Sequence, residues 1–130
     1  MMLKSLAPIA FAAALTAGCV TTPHYNPDGS FEARMGQRVN LNGTRITVIK
    51  VLEDSRCPME ARCVWAGQVR LSLLIEIGGK TSERELTSDE PLMITGDAML
   101  ELVGTMPPKS TQRTLAPSDY RFTLRFSRKL

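Results

Sequence analysis

Three cysteines, Cys19, Cys57 and Cys63, have the widest chemical reach of any side chains in this chain. A thiolate can bind a metal, exchange with a disulfide or attack an electrophile. The spacings narrow these choices. A structural zinc site takes four Cys or His ligands, and the single histidine, His24, stands well upstream of Cys57 and Cys63. Thiol–disulfide enzymes favour a C-x-x-C spacing, whereas residues 58 to 62 separate these two cysteines. A Ser or Cys nucleophile wants a histidine base, and His24 sits in a stretch rich in Pro, Gly and small polar residues that is unsuited to holding one. Glu53 and Asp54 could do acid–base work, but neighbours on a strand point to opposite faces. Asp54 is better placed to cap a loop or pair with Arg56. Met35, Met59, Met93, Met99 and Met106 carry thioethers that suit copper(I). They form no Met-x-x-Met pair and read as core filling. No cofactor and no metal are expected, and no catalytic residue is assigned.

The position of Cys19 gives it a separate meaning. Lys4 is followed by an almost unbroken apolar run from Leu6 to Leu15, and then by Thr16-Ala17-Gly18-Cys19. A run of this length is too short for a bilayer, which needs about 20 residues. It fits the apolar region of a secretory signal. Small residues ending directly at a cysteine resemble the lipobox of bacterial lipoproteins. The resemblance implies cleavage between Gly18 and Cys19 and lipidation of Cys19. Val20 follows the cysteine. An Asp there often marks retention in the inner membrane, so the resemblance implies an outer-membrane anchor on the periplasmic side. Residues 1–18 are read as the signal peptide. Residues 19–34, rich in Pro, Gly and small polar residues, are read as the lipidated cysteine and a flexible tether.

Residues 35–130 are enough for one domain. Without Lys4 the formal charge falls from +3 to about +2, too mild to argue for nucleic acid. Period-two alternation marks several strands. In 68–77, Val69, Leu71, Leu73, Ile75 and Ile77 share one face, and Gly78-Gly79 then turns the chain into a polar return strand over 81–86. Asn42-Gly43 is the favoured pair for a two-residue hairpin between 38–41 and 44–52. The segment Ile46–Leu52 is β-branched but alternates poorly, as a strand partly buried on both faces would. Residues 98–103 and 120–126 read as further strands, and 106–118, with Pro107, Pro108 and Pro117, as a long loop. About six strands without a helical period predict an all-β fold, a small antiparallel sandwich or barrel.

The stretch Asp54–Gly67 links two of these strands and holds Cys57 and Cys63. In an oxidising compartment the two should pair. On the disputed chain-entropy account, closing so small a loop is worth roughly 2–2.5 kcal/mol. Trp65, the only tryptophan, is expected to pack near the disulfide or to cap the end of the domain. Two roles stay open for the loop: a structural staple, or a rigid recognition surface offering Met59, Glu60, Arg62 and Trp65. The pattern Ser55-Arg56-Cys57-Pro58, four residues, then Cys63-Val64-Trp65-Ala66-Gly67 looks like that of small bacterial envelope proteins and lipoproteins. This resemblance implies an exported β-domain and brings no activity with it.

The expected function is therefore a lipid-anchored envelope protein, a non-enzymatic binding or structural module. Its expected partners are the membrane, through the N-terminal lipid, and an envelope protein or cell-wall polymer. The alternative is an inhibitor of an exported hydrolase, a lysozyme or protease, acting through the 57–63 loop. A weaker third is an enzyme using carboxylates alone. Arg121, Arg125, Arg128 and Lys129 could form a basic patch, but read more simply as a solvated strand face and terminus.

Overall fold

The computed structural model describes Ala12, Ala13 and residues 24–128. Cys19 and the 1–18 signal segment, apart from those two alanines, lie outside the described residues. Among the described residues eight strands run in chain order: β1 (Ser30–Arg34), β2 (Arg38–Leu41), β3 (Thr44–Asp54), β4 (Val69–Ile77), β5 (Lys80–Thr87), β6 (Leu92–Met93), β7 (Ala98–Met106) and β8 (Arg121–Arg128). They form two four-stranded antiparallel sheets, ordered β1-β8-β7-β6 and β2-β3-β4-β5. The fold is a β-sandwich, which resolves the choice between sandwich and barrel.

The alternating residues of each strand meet between the sheets. Phe31, Ala33, Leu100, Leu102, Phe122 and Leu124 come from one sheet. Val39, Leu41, Ile46, Val48, Leu71, Leu73, Ile75 and Leu86 come from the other. Two turns behave as their residue types demand. Asn42 and Gly43 both have positive φ (52° and 94°), as do Gly78 and Gly79 (55° and 79°), matching the twist a two-residue hairpin needs.

Three expectations are corrected. Residues 30–34 do not belong to a tether. They form β1, paired residue for residue with β8 from Ser30↔Arg125 to Arg34↔Arg121, with Phe31 and Ala33 fully buried. Tyr25 already bridges Phe31 across a turn and donates its hydroxyl to the Asn40 carbonyl (2.9 Å). The folded domain thus begins before residue 35, near Tyr25. The strand count is eight rather than about six, because β1 and the two-residue β6 carry too little alternation to be read. The weak alternation of Ile46–Leu52 also has a cause other than two-sided burial. The β3–β4 register slips between Val48 and Lys50 and again between Val51 and Glu53. Each slip inserts an extra residue and so shifts the alternation by one: Ile49 and Lys50 are both exposed, while Val48 and Val51 still pair with Leu73 and Leu71.

The sandwich has two distinct ends. One carries the turns at Asn42-Gly43 and Gly78-Gly79, the chain entering at Tyr25, and Phe126–Arg128. The other carries the 54–67 and 107–120 loops.

Candidate functional site

The 54–67 loop continues the β3–β4 hairpin past its last ladder pair. Ser55 N donates to Gln68 O (2.9 Å), Gln68 N to Ser55 Oγ (3.0 Å), and Cys57 N to Ala66 O (3.3 Å). Between these rungs Gly67 takes φ +72°, and a Cβ there would lie 1.8 Å from the Ser55 carbonyl oxygen. Only glycine fits such an approach. Beyond the rungs Cys57 and Cys63 are disulfide-bonded, their Cα atoms 5.9 Å apart. This closes a tip in which every residue from Met59 to Ala66 is exposed.

The second loop clasps this extension at its base. Arg56 donates from Nε and Nη2 to the two Asp54 carboxylate oxygens (2.8 and 2.9 Å), and from Nη1 to the carbonyls of Thr105 and Pro107 (2.9 and 3.0 Å). Tyr120 donates its hydroxyl to Asp54 Oδ2 (2.9 Å), and Lys109 Nζ donates to the Asp54 carbonyl (2.6 Å). Burial alone would push the Asp54 carboxyl up. The hydrogen bonds from Arg56 and Tyr120 and the Arg56 charge outweigh it and hold the group below its usual range. Burial, joined by the bond to Asp54, drives the Tyr120 hydroxyl up to about 12. Further out, Met59 N donates to Lys109 O (2.9 Å), and the Glu60 carboxylate accepts from the Ser110 hydroxyl and Thr111 N.

The residues singled out from sequence thus divide. Cys57 and Cys63 form the staple. Glu60 is exposed but tied to the neighbouring loop through Ser110 and Thr111. Met59, Arg62 and Trp65 are exposed, Met59 by 67% and Trp65 by 63%. Trp65 does not cap the domain. The Asp54–Arg56–Tyr120 clasp closes that end instead and leaves the indole in solvent. Val64, fully exposed beside it, escaped the sequence reading, since no periodicity operates in a cross-linked loop. Lys109, Ser110 and Tyr120 escaped it too, because their partners stand about 50 to 66 positions away.

The carboxylates first considered for acid–base chemistry are engaged elsewhere. Glu53 accepts from Gln68 Nε2 (2.7 Å) and Asp54 belongs to the clasp. A hollow of about 210 Å³ beside the loop runs between Arg56, Gly67 and Val69 and the β7 edge at Leu102–Thr105. Its charged lining residue, Arg56, already serves Asp54. On the opposite sheet face Arg125 is balanced by Asp28 (3.1 Å) and Glu101 (3.4 Å), and Arg128 lies over the Phe126 ring. Arg125 is thus neutralised, Arg121 is exposed on the same strand, and Lys129 lies outside the described residues.

The staple and the tip can be separated by measurement. Cys57→Ser should lower stability by about 2 kcal/mol, or Tm by on the order of 10 °C for a domain of this size. Met59→Ala and Arg62→Ala should leave Tm within about 2 °C, since exposed side chains away from such features rarely matter to folding. Equal losses in all three variants would mean that the tip is part of the fold. No family model, curated protein or solved structure matches this chain.

Proposed function

We propose that this protein is a lipid-anchored module of the bacterial envelope that binds a partner through the tip of the 54–67 loop. The observation that carries the reading is the pairing of rigidity with exposure. A hairpin extension is stapled by Cys57–Cys63, clasped by Asp54, Arg56, Lys109 and Tyr120, and ends in exposed Met59, Val64 and Trp65. Trp, Met and Arg are the residue types enriched in binding surfaces. A loop fixed in advance loses little entropy on binding. The lipobox-like Leu15–Cys19 stretch and the Ser55–Gly67 resemblance support the envelope address, and the disulfide suits an oxidising compartment.

The alternative, inhibition of an exported hydrolase, draws on the same geometry. Eight consecutive exposed residues on a cross-linked support form a shape that can enter a cleft. One experiment addresses both readings. A photo-reactive residue at position 59 in the full-length protein, irradiated in cells, should yield one discrete adduct. A hydrolase in that adduct would favour inhibition, and another envelope protein the binding module. A folded, anchored protein that gives no protein adduct would remove the tip as a protein-binding surface.

A further inference from the structure

We infer that the turn end of the sandwich is held against the headgroup layer of the membrane in which the anchor sits, by a leash too short to let it leave. The inference rests on the proposed lipidation of Cys19. A tether running to residue 34 would allow a stand-off of about 50 Å, at roughly 3.3–3.6 Å per residue. The structure removes most of that length. The fold reaches back to Tyr25, which bridges Phe31 and bonds Asn40, so only residues 20–24 separate the proposed lipid from the domain. Six Cα-to-Cα steps cover at most about 20 Å, which is shorter than β8 or β7 is long (eight and nine residues, about 26 and 30 Å).

The chain therefore ties down a defined end of the domain. Tyr25, half-exposed and able to sit at a lipid–water boundary, is at the point of attachment. Around it lie the exposed turns at Asn42-Gly43 and Gly78-Gly79, together with Arg45, Lys80 and Arg128. Part of this charge is met on the spot. Glu76 pairs with Arg45 (3.8 Å) and Arg38 (3.5 Å). Anionic lipid would add to the contact, but it is the leash that imposes it. The contact should persist on zwitterionic bilayers. The loop end, with Met59, Val64 and Trp65, is a full strand length away and points from the membrane toward whatever lies beyond it.

The test uses the full-length protein purified from membranes. The mass of its N-terminal peptide is measured first. Absence of acyl chains on Cys19 would overturn both the lipid-anchor reading and this inference. With lipidation present, nitroxide labels at Thr81→Cys, on the turn end, and Gln112→Cys, on the loop end, are compared. The protein is inserted in phosphatidylcholine vesicles carrying a small fraction of nickel-chelating lipid. Headgroup nickel should relax the label at position 81 several-fold more than that at position 112. Ten Gly/Ser residues inserted after Val20 should bring the two toward equality. Equal relaxation with the native leash would overturn the inference while leaving the anchor intact. An insertion without effect would overturn the leash as the cause. A difference that appears only when phosphatidylglycerol is added would show that charge, not leash length, sets the orientation.

Discussion

Gly67→Ala should cost more than any other single-methyl addition at a glycine of the described domain. Two penalties act together. The backbone at φ +72° costs an L-residue roughly 1–2 kcal/mol. The added Cβ would also overlap the Ser55 carbonyl, 1.8 Å away, with the peptide nitrogen of Arg56 at 2.9 Å. These are backbone atoms, so no rotamer change relieves the clash. The hairpin extension must open instead, giving up the Ser55–Gln68 and Cys57–Ala66 bonds and displacing Arg56 from Asp54. A total of about 3–4 kcal/mol is expected, the range of a broken buried network. Gly36→Ala supplies the control. Gly36 has nearly the same φ (+76°), but a methyl group there would meet nothing within 4 Å, so only the conformational cost of about 1–2 kcal/mol applies. Urea denaturation of both variants decides the matter. Equal losses would show that the close approach at Ser55 is not structural.

Much of the sandwich was legible because its signals are local. The alternation of Val69, Leu71, Leu73 and Ile75 marked β4 to within one residue of its observed start. Asn42-Gly43 and Gly78-Gly79 marked two hairpins whose positive φ values follow from residue type. Signals failed where structure depends on distant chain. β1 is five residues behind a Pro- and Gly-rich segment, and it becomes a strand because β8 offers an edge for Phe31 and Ala33 to cover. The slips in β3 break its alternation at Ile49 and Leu52. The disulfide was legible from spacing and compartment, and the Asp54–Arg56 pairing from proximity in sequence. The fate of Trp65 was not. It depends on Tyr120 and on the carbonyls of Thr105 and Pro107, which fill the end of the domain that the indole was expected to cap.

Asp54→Asn tests the clasp, and the expected result depends on pH. Asp54 and Arg56 side chains are only 9% and 19% exposed, so neither charge is well solvated if the other is lost. Breaking a fully buried pair from one side costs about 3–5 kcal/mol. The residual exposure of Arg56 and its two carbonyl partners reduce this to about 2–3 kcal/mol at neutral pH. The native Asp54 carboxyl titrates below its ordinary value, whereas in the unfolded chain it titrates near the ordinary value of about 4. The stabilisation is therefore complete above about pH 4 and is lost as pH falls through the lower native value. The gap between wild type and Asp54→Asn should narrow accordingly as pH falls below about 4. Because other carboxylates, Asp28 among them at about 2, also weaken the fold in acid, the difference between the two proteins is the informative quantity. Tyr120 gives the opposite limb. Its native value of about 12 lies above the ordinary 10, so its contribution is intact below about pH 10 and lost as pH rises through about 12. Tyr120→Phe should flatten that alkaline loss while leaving the Arg56-dependent part of the acid limb. Thermal melts of the three proteins from about pH 2 to 7 and from about pH 9 to 12 would check both signs. A wild-type-to-Asp54→Asn gap that did not narrow at all across the acid range would mean that Asp54 is not the charged centre of the clasp. The rigid support for Met59, Val64 and Trp65 would then have to come from the disulfide and the Glu60–Ser110 contact alone.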